Sequence, residues 1–98
     1  MPPPSLAMLY LISYDLLQLA HGPKLEAVTR AIRELGGRQC LSNVWIVKSE
    51  LPASQIGNRL ITAAFIPEER LLIVELGKDY QSHNLIGLSS EELSTLMQ

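Results

Sequence analysis

The residues of this chain whose types could do chemistry are few and widely spaced. Asp15 closes an apolar run over residues 9–15, and the next acid along the chain is Glu26. A carboxylate at a strand tip sits where a sheet edge meets a loop, a common place for a working acid. Its ordinary role there is to cap the loop or accept backbone hydrogen bonds. Ser13 and Tyr14 stand beside it and could position a phosphate, although packing or simple hydrogen bonding is the default for both. His21, in the segment that follows, is a candidate general acid–base; a lone loop histidine usually has no such role, and His83 has less support. Cys40 is the single cysteine, which excludes an internal disulfide and fits a reducing compartment. It reads as a packing residue rather than a reactive thiol. No zinc-type cysteine–histidine spacing, phosphate-binding glycine loop or serine–histidine–acid arrangement is legible.

The cations offer a second line of chemistry. Arg30 and Arg33 fall on the outer face of a predicted helix, where a solvated surface is the default. Arg38 and Lys48 would come close if the hairpin that contains them pairs as expected. They could then contact phosphate, with Glu50 near enough to neutralise them. The formal net charge is −2 and the pI near 5.6. Dedicated nucleic-acid binders are usually basic because phosphate neutralisation supplies much of their affinity, so this balance counts against tight, non-specific DNA binding. Trp45 could stack on a base, but its place in an apolar strand assigns it to a core or a dimer contact.

These residues must be positioned by a small fold. A chain of 98 residues makes one domain and buries about 60–65% of its unfolded surface, so dimerisation is a common way to gain more. At 47% hydrophobic and 18% charged, the composition leaves room for an interface beyond the monomer core. The apolar stretch over residues 6–20 has no basic leader, is interrupted by Asp15 and is too short and polar to span a bilayer. A soluble, cytoplasmic protein is expected.

Residues 1–6, with three consecutive prolines, read as an extended or disordered leader. The first strand covers residues 7–15, with Met8, Tyr10, Ile12 and Tyr14 on one face and Leu9, Leu11, Ser13 and Asp15 on the other. Both faces are largely apolar, as in a central strand. A loop closes at Gly22-Pro23, and a helix follows with an apolar stripe of Leu25, Val28, Ile32 and Leu35. Gly36-Gly37 stops it. Residues 38–41 and 44–49, joined by Ser42-Asn43, predict an antiparallel hairpin. A second helix opens near Pro52, with Ile56, Leu60, Ala63 and Ala64 facing inward, and ends before Pro67. Residues 71–76 form the next strand.

The order strand–helix–strand–strand–helix–strand is the split βαβ pattern of a ferredoxin-like α+β domain over residues 7–76. Its antiparallel sheet carries both helices on one face and the first and third strands at its centre. The other face, rich in Leu, Ile and Val, must be covered by a tail or a second subunit. In the extension, residues 77–98, Tyr80 to Leu88 could add an edge strand, on a partner or at home. Ser89 and Glu92 form a capping box for a short helix through Leu93, Leu96 and Met97.

Three stretches carry a family resemblance: Tyr10-Leu11-Ile12-Ser13-Tyr14-Asp15; Leu35-Gly36-Gly37-Arg38-Gln39 leading into Ser42-Asn43-Val44-Trp45-Ile46-Val47-Lys48-Ser49; and Glu69-Arg70-Leu71-Leu72-Ile73-Val74-Glu75-Leu76. In this order the chain resembles the CRISPR-associated protein 2 superfamily over about residues 8–80. It looks closest to divergent stand-alone members, with the virulence-associated protein D ribonucleases as relatives. The resemblance implies a homodimer joined through the bare sheet face, with C-terminal strands adding to the partner's sheet edge. It also implies that Asp15 is the metal-binding residue, paired across the dimer with its mate around Mg2+ or Mn2+. Two carboxylates and several waters suit such an ion, which would activate a water for phosphodiester attack.

Two functions follow from different classes. One is a dimeric non-catalytic module that binds nucleic acid, through Arg30, Arg33, Arg38 and Lys48, or a protein partner. The alternative is a metal-dependent endonuclease acting on RNA or DNA through Asp15 of each subunit. Core family members carry arginines soon after the aspartate, where residues 16–23 here hold none; with the acidic pI, this favours the first. A viral mimic that interferes with CRISPR machinery is a third expectation.

Overall fold

The computed structural model describes residues 7–16, 23–65 and 69–97. The expected leader, the loop with His21 and the helix-ending Pro67 lie outside the described residues. Seven elements follow one another: β1 (Met8–Asp15), α1 (Pro23–Glu34), β2 (Arg38–Leu41), β3 (Val44–Ser49), α2 (Ala53–Ala64), β4 (Arg70–Glu75) and α3 (Ser90–Leu96). The strands form one antiparallel sheet in the order β2-β3-β1-β4. This is the ferredoxin-like α+β arrangement, with β1 and β3 at the centre. No helix among the described residues is long and apolar enough to cross a membrane.

The alternation of β1 divides the protein into two cores. Tyr10, Ile12 and Tyr14 face the helices and are buried with Trp45 and Val47 of β3, Val28 and Ile32 of α1, and Ile56 and Leu60 of α2. Leu9, on the opposite face, is buried with Ile46, Cys40, Leu88 and Leu93. The pairing register produces this split: Ile12 stands opposite Trp45 on one side and Ile73 on the other, whereas Leu11 stands between Ile46 and Val74. Cross-strand neighbours share a face, so each step along β1 moves the whole set from one core to the other.

Local chemistry ends the helices. Gly36 has φ +88°, a left-handed conformation open to glycine at little cost. Its N–H donates to the Arg33 carbonyl at 2.9 Å, and the Gly37 N–H reaches the Ile32 carbonyl at 2.9 Å. Those two bonds close α1 in a Schellman motif. Pro52 occupies the N-cap of α2 without a side-chain cap, and Phe65 leaves the helix in an extended conformation. On α2 the inward face holds Ile56, Leu60 and Ala64 as expected, but Ala63 is exposed and Ala53 packs against the core as well.

The C-terminal extension departs further. Residues 77–89 contain no strand. They cross the second sheet face and reach the outer edge of β2, where the Ile86 N–H donates to the Cys40 carbonyl at 2.9 Å. Beyond them α3 starts at a complete capping box formed by Ser89 and Glu92, as the sequence predicts. Leu88 and Leu93 are each 4% exposed. The chain's own tail therefore covers one part of the apolar face. The remainder stays open, with Leu72 60% and Val74 39% exposed.

Candidate functional site

Asp15 is held at the end of β1 by pairing with the first residue of β4, Arg70. Its side chain is 67% exposed, and Oδ2 lies 3.9 Å from Arg70 Nη1. Both residues border a shallow depression of about 220 Å³ with Ser13 and Leu72. Ser13 shares the Asp15 face, as parity requires. Tyr14 belongs elsewhere: it is 4% exposed, and its hydroxyl accepts the Trp45 indole N–H at 3.4 Å inside the first core. Asn43, from the turn between β2 and β3, donates to the Tyr14 carbonyl at 3.0 Å and so ties that turn to the end of β1.

The donor set beside Asp15 does not fit a metal ion within one chain. A single carboxylate is present, with a guanidinium next to it. Among the described residues no group of three or more His, Cys, Asp or Glu side chains could hold a metal ion. A hydrated Mg2+ can manage with one or two carboxylates, but the second would have to come from another subunit. His21 lies outside the described residues, and His83 is exposed in the tail.

The four predicted cationic positions do not form one surface. Arg30 pairs with Glu26 one turn earlier at 3.3 Å, both side chains about two-thirds exposed. Arg33 is exposed, as expected of a solvated face, and its guanidinium carbon lies 5.4 Å from the centroid of the Trp45 ring, in cation–π contact. Both belong to α1. Arg38 and Lys48 lie on the opposite side of the sheet; the expected hairpin forms, with Arg38 opposite Ile46, two residues before Lys48. Arg38 is engaged by the tail, donating to the Gly87 carbonyl at 3.0 Å and lying 2.8 Å from Glu92 Oε2. Lys48 is opposite Leu9, six residues and about 20 Å along β1 from Asp15.

Two features were missed by reasoning on sequence. One is the tail clip on Arg38; the capping box signalled Glu92, but nothing local signalled its partner on β2. The other is a half-buried ion pair: Lys24 Nζ, on a side chain 28% exposed, lies 3.0 Å from Glu69 Oε1, whose side chain is 1% exposed, and also donates to the Ala64 carbonyl. It ties the start of α1 to the end of α2 and the approach to β4. Cys40 is buried at 3%, and burial pushes its thiol up. It packs in the second core.

In class, the molecule is a small ferredoxin-like domain with a folded-back C-terminal extension and a half-open sheet face. No protein-family model, curated protein or solved structure matches this chain.

Proposed function

We propose that this chain is a dimeric, non-catalytic binding module of the kind its resemblance to the CRISPR-associated protein 2 superfamily implies. The observation that carries this reading is the open part of the second sheet face. Leu72 and Val74 are 60% and 39% exposed on a domain of 98 residues, next to a strand edge, where apolar exposure marks an interaction site. The scatter of Arg30, Arg33, Arg38 and Lys48 over two sides of the domain, with a net charge of −2, favours a protein partner over a nucleic acid. Equilibrium sedimentation of the full chain tests the dimer. Titration of single- and double-stranded RNA and DNA at two salt concentrations tests the nucleic-acid arm, for which salt-sensitive binding is the positive result.

A metal-dependent endonuclease is the second reading, favoured by the exposure of Asp15 beside Ser13. In it Asp15 and its symmetry mate would together supply the carboxylates for a Mg2+ or Mn2+ ion, which would provide Lewis-acid activation of water for phosphodiester hydrolysis. Cleavage by the wild type that disappears both in Asp15→Asn and with EDTA would establish it. Absence of cleavage by a folded dimer leaves the binding module.

A further inference from the structure

The two edges of the sheet are treated differently by the chain. At the β2 edge, the tail donates the Ile86 N–H to the Cys40 carbonyl, and Gly87 lies so close to the strand that an added Cβ would stand 3.1 Å from the Gln39 carbonyl oxygen. At the β4 edge nothing among the described residues is paired. Leu71 to Val74 include no proline, charge or bulge, the devices that usually blunt an open edge.

Which backbone groups of β4 face outward follows from one bond. The Leu76 N–H donates to the Leu9 carbonyl at 2.7 Å, and in an antiparallel ladder the residues whose groups point to a given neighbour alternate. Leu72 and Val74 therefore bond toward β1, and Leu71, Ile73 and Glu75 present their N–H and C=O groups to the open side.

We infer that β4 is the edge at which two copies of this chain join, antiparallel, with Ile73 opposite its own mate, into one continuous eight-stranded sheet. This rests on the dimeric reading above, but places the join at the sheet edge rather than across the bare sheet face. A two-fold axis through Ile73 pairs Leu71 with the partner's Glu75, Ile73 with the partner's Ile73 and Glu75 with the partner's Leu71. All outward backbone groups of those residues are then satisfied. On the second sheet face Leu72 meets the partner's Val74 twice by symmetry, covering the two exposed side chains. On the helix face the open groove between α2 and β4, about 350 Å³ and floored by Gly57 beside Ile73, lies at the junction with Ile61, itself 51% exposed. The neighbouring two-fold register, centred on Leu72, sets Leu72 against its own mate, and the variants below distinguish the two.

The arrangement bears on chemistry. Each Asp15 lies one strand in from the join, at the level of Arg70. Its mate is three strand spacings across and about six residues along, roughly 25 Å away. Two carboxylates so placed cannot share one metal ion, which aligns the joined edge with a binding role.

Leu72→Lys, Val74→Glu and the double variant test the join, using the full chain in equilibrium sedimentation and circular dichroism to confirm folding. Because Leu72 is 60% and Val74 39% exposed in the monomer, the variants are expected to keep their fold. Each single substitution sets a charge against an apolar partner residue twice and is expected to raise the dimer dissociation constant at least about tenfold. The double variant restores dimerisation, since in this register each introduced lysine faces an introduced glutamate of the other copy. The Leu72-centred register would instead set the two lysines against each other. A dimer unaffected by the single substitutions, or one broken by both without rescue in the double, overturns the inference and leaves the dimeric reading standing. A wild-type chain that stays monomeric to submillimolar concentration overturns both.

Discussion

Glu92 divides its carboxylate between two parts of the fold. Oε1 accepts the Ser89 backbone N–H at 3.1 Å, and Oε2 lies 2.8 Å from Arg38 Nη2 on β2. The same guanidinium also donates to the Gly87 carbonyl at 3.0 Å. One arginine thus holds the segment before α3 and the first turn of α3 itself, while Leu88 and Leu93 supply the apolar contact beneath.

Arg38→Ala removes both polar ties and leaves the buried leucines. The tail should open more often without unfolding the domain, because exposed charge pairs tune local opening more than global stability. Hydrogen exchange of residues 86–96 is expected to quicken severalfold, with the β1 amides unchanged. Equal acceleration across β1 would mean that tail and sheet unfold as one unit.

The same carboxylate makes tail docking sensitive to acid. The Ser89 backbone N–H, and after it the Arg38 guanidinium, hold the Glu92 carboxyl below the usual carboxylate range. With its folded-state pKa depressed, the carboxylate contributes its full stabilisation above the unfolded pKa, and this is lost as pH falls through the folded value. The Ser89 amide resonance should therefore titrate with a midpoint below that of an ordinary glutamate. In Glu92→Gln that titration disappears, and exchange of the tail loses its acid-side acceleration.

Leu93 is 4% exposed in the second core, against Cys40 and Ile46. Truncation to alanine is expected to cost about 2 kcal/mol, the low end for a buried leucine because this core is small and one-sided. It also opens a path to the Cys40 thiol. A maleimide or disulfide reagent should modify Cys40 faster in Leu93→Ala than in the wild type, where burial both shields the thiol and raises its pKa. Unchanged reactivity would place the opening elsewhere.

Lys24→Met takes the ammonium away from the buried Glu69 carboxylate. Removing one partner of a fully buried pair commonly costs about 3 kcal/mol; with the Lys24 side chain 28% exposed a smaller loss is expected, and replacing both partners is milder still. Urea unfolding of Lys24→Met, Glu69→Met and the double variant should give a coupling energy of clear sign, the double being more stable than the sum of the single losses implies. Additive losses would show the pair to be incidental.

Much of the fold can be read along the chain because its signals are local. Alternation in β1 separates Tyr10, Ile12 and Tyr14 from Leu9 and Leu11; the Leu25–Val28–Ile32–Leu35 stripe and the two glycines define α1; Ser42-Asn43 forces the hairpin; and Ser89 with Glu92 starts α3. Each pattern spans a few residues, within which backbone geometry and burial dictate which side chains share a face. From these the split βαβ order and the two apolar faces follow, and the central place of Asp15's strand with them.

Contacts between elements were decided by the tertiary structure alone. Nothing near Arg38 indicates that Glu92 and Gly87 will claim it, and nothing near Arg33 indicates that it will lie over Trp45. Residues 77–89 have the composition of a strand or a loop, and they run irregularly because Leu88 and Leu93 find an apolar surface on their own sheet. The site follows the same division. Sequence alone determined that Asp15 ends a central strand; only packing decided that its carboxylate would face solvent beside Arg70, that the cations would fall on two sides, and that β4 would keep its edge open. Such pairings join residues far apart in the chain, and their free energy depends on surfaces that exist only once the sheet has formed.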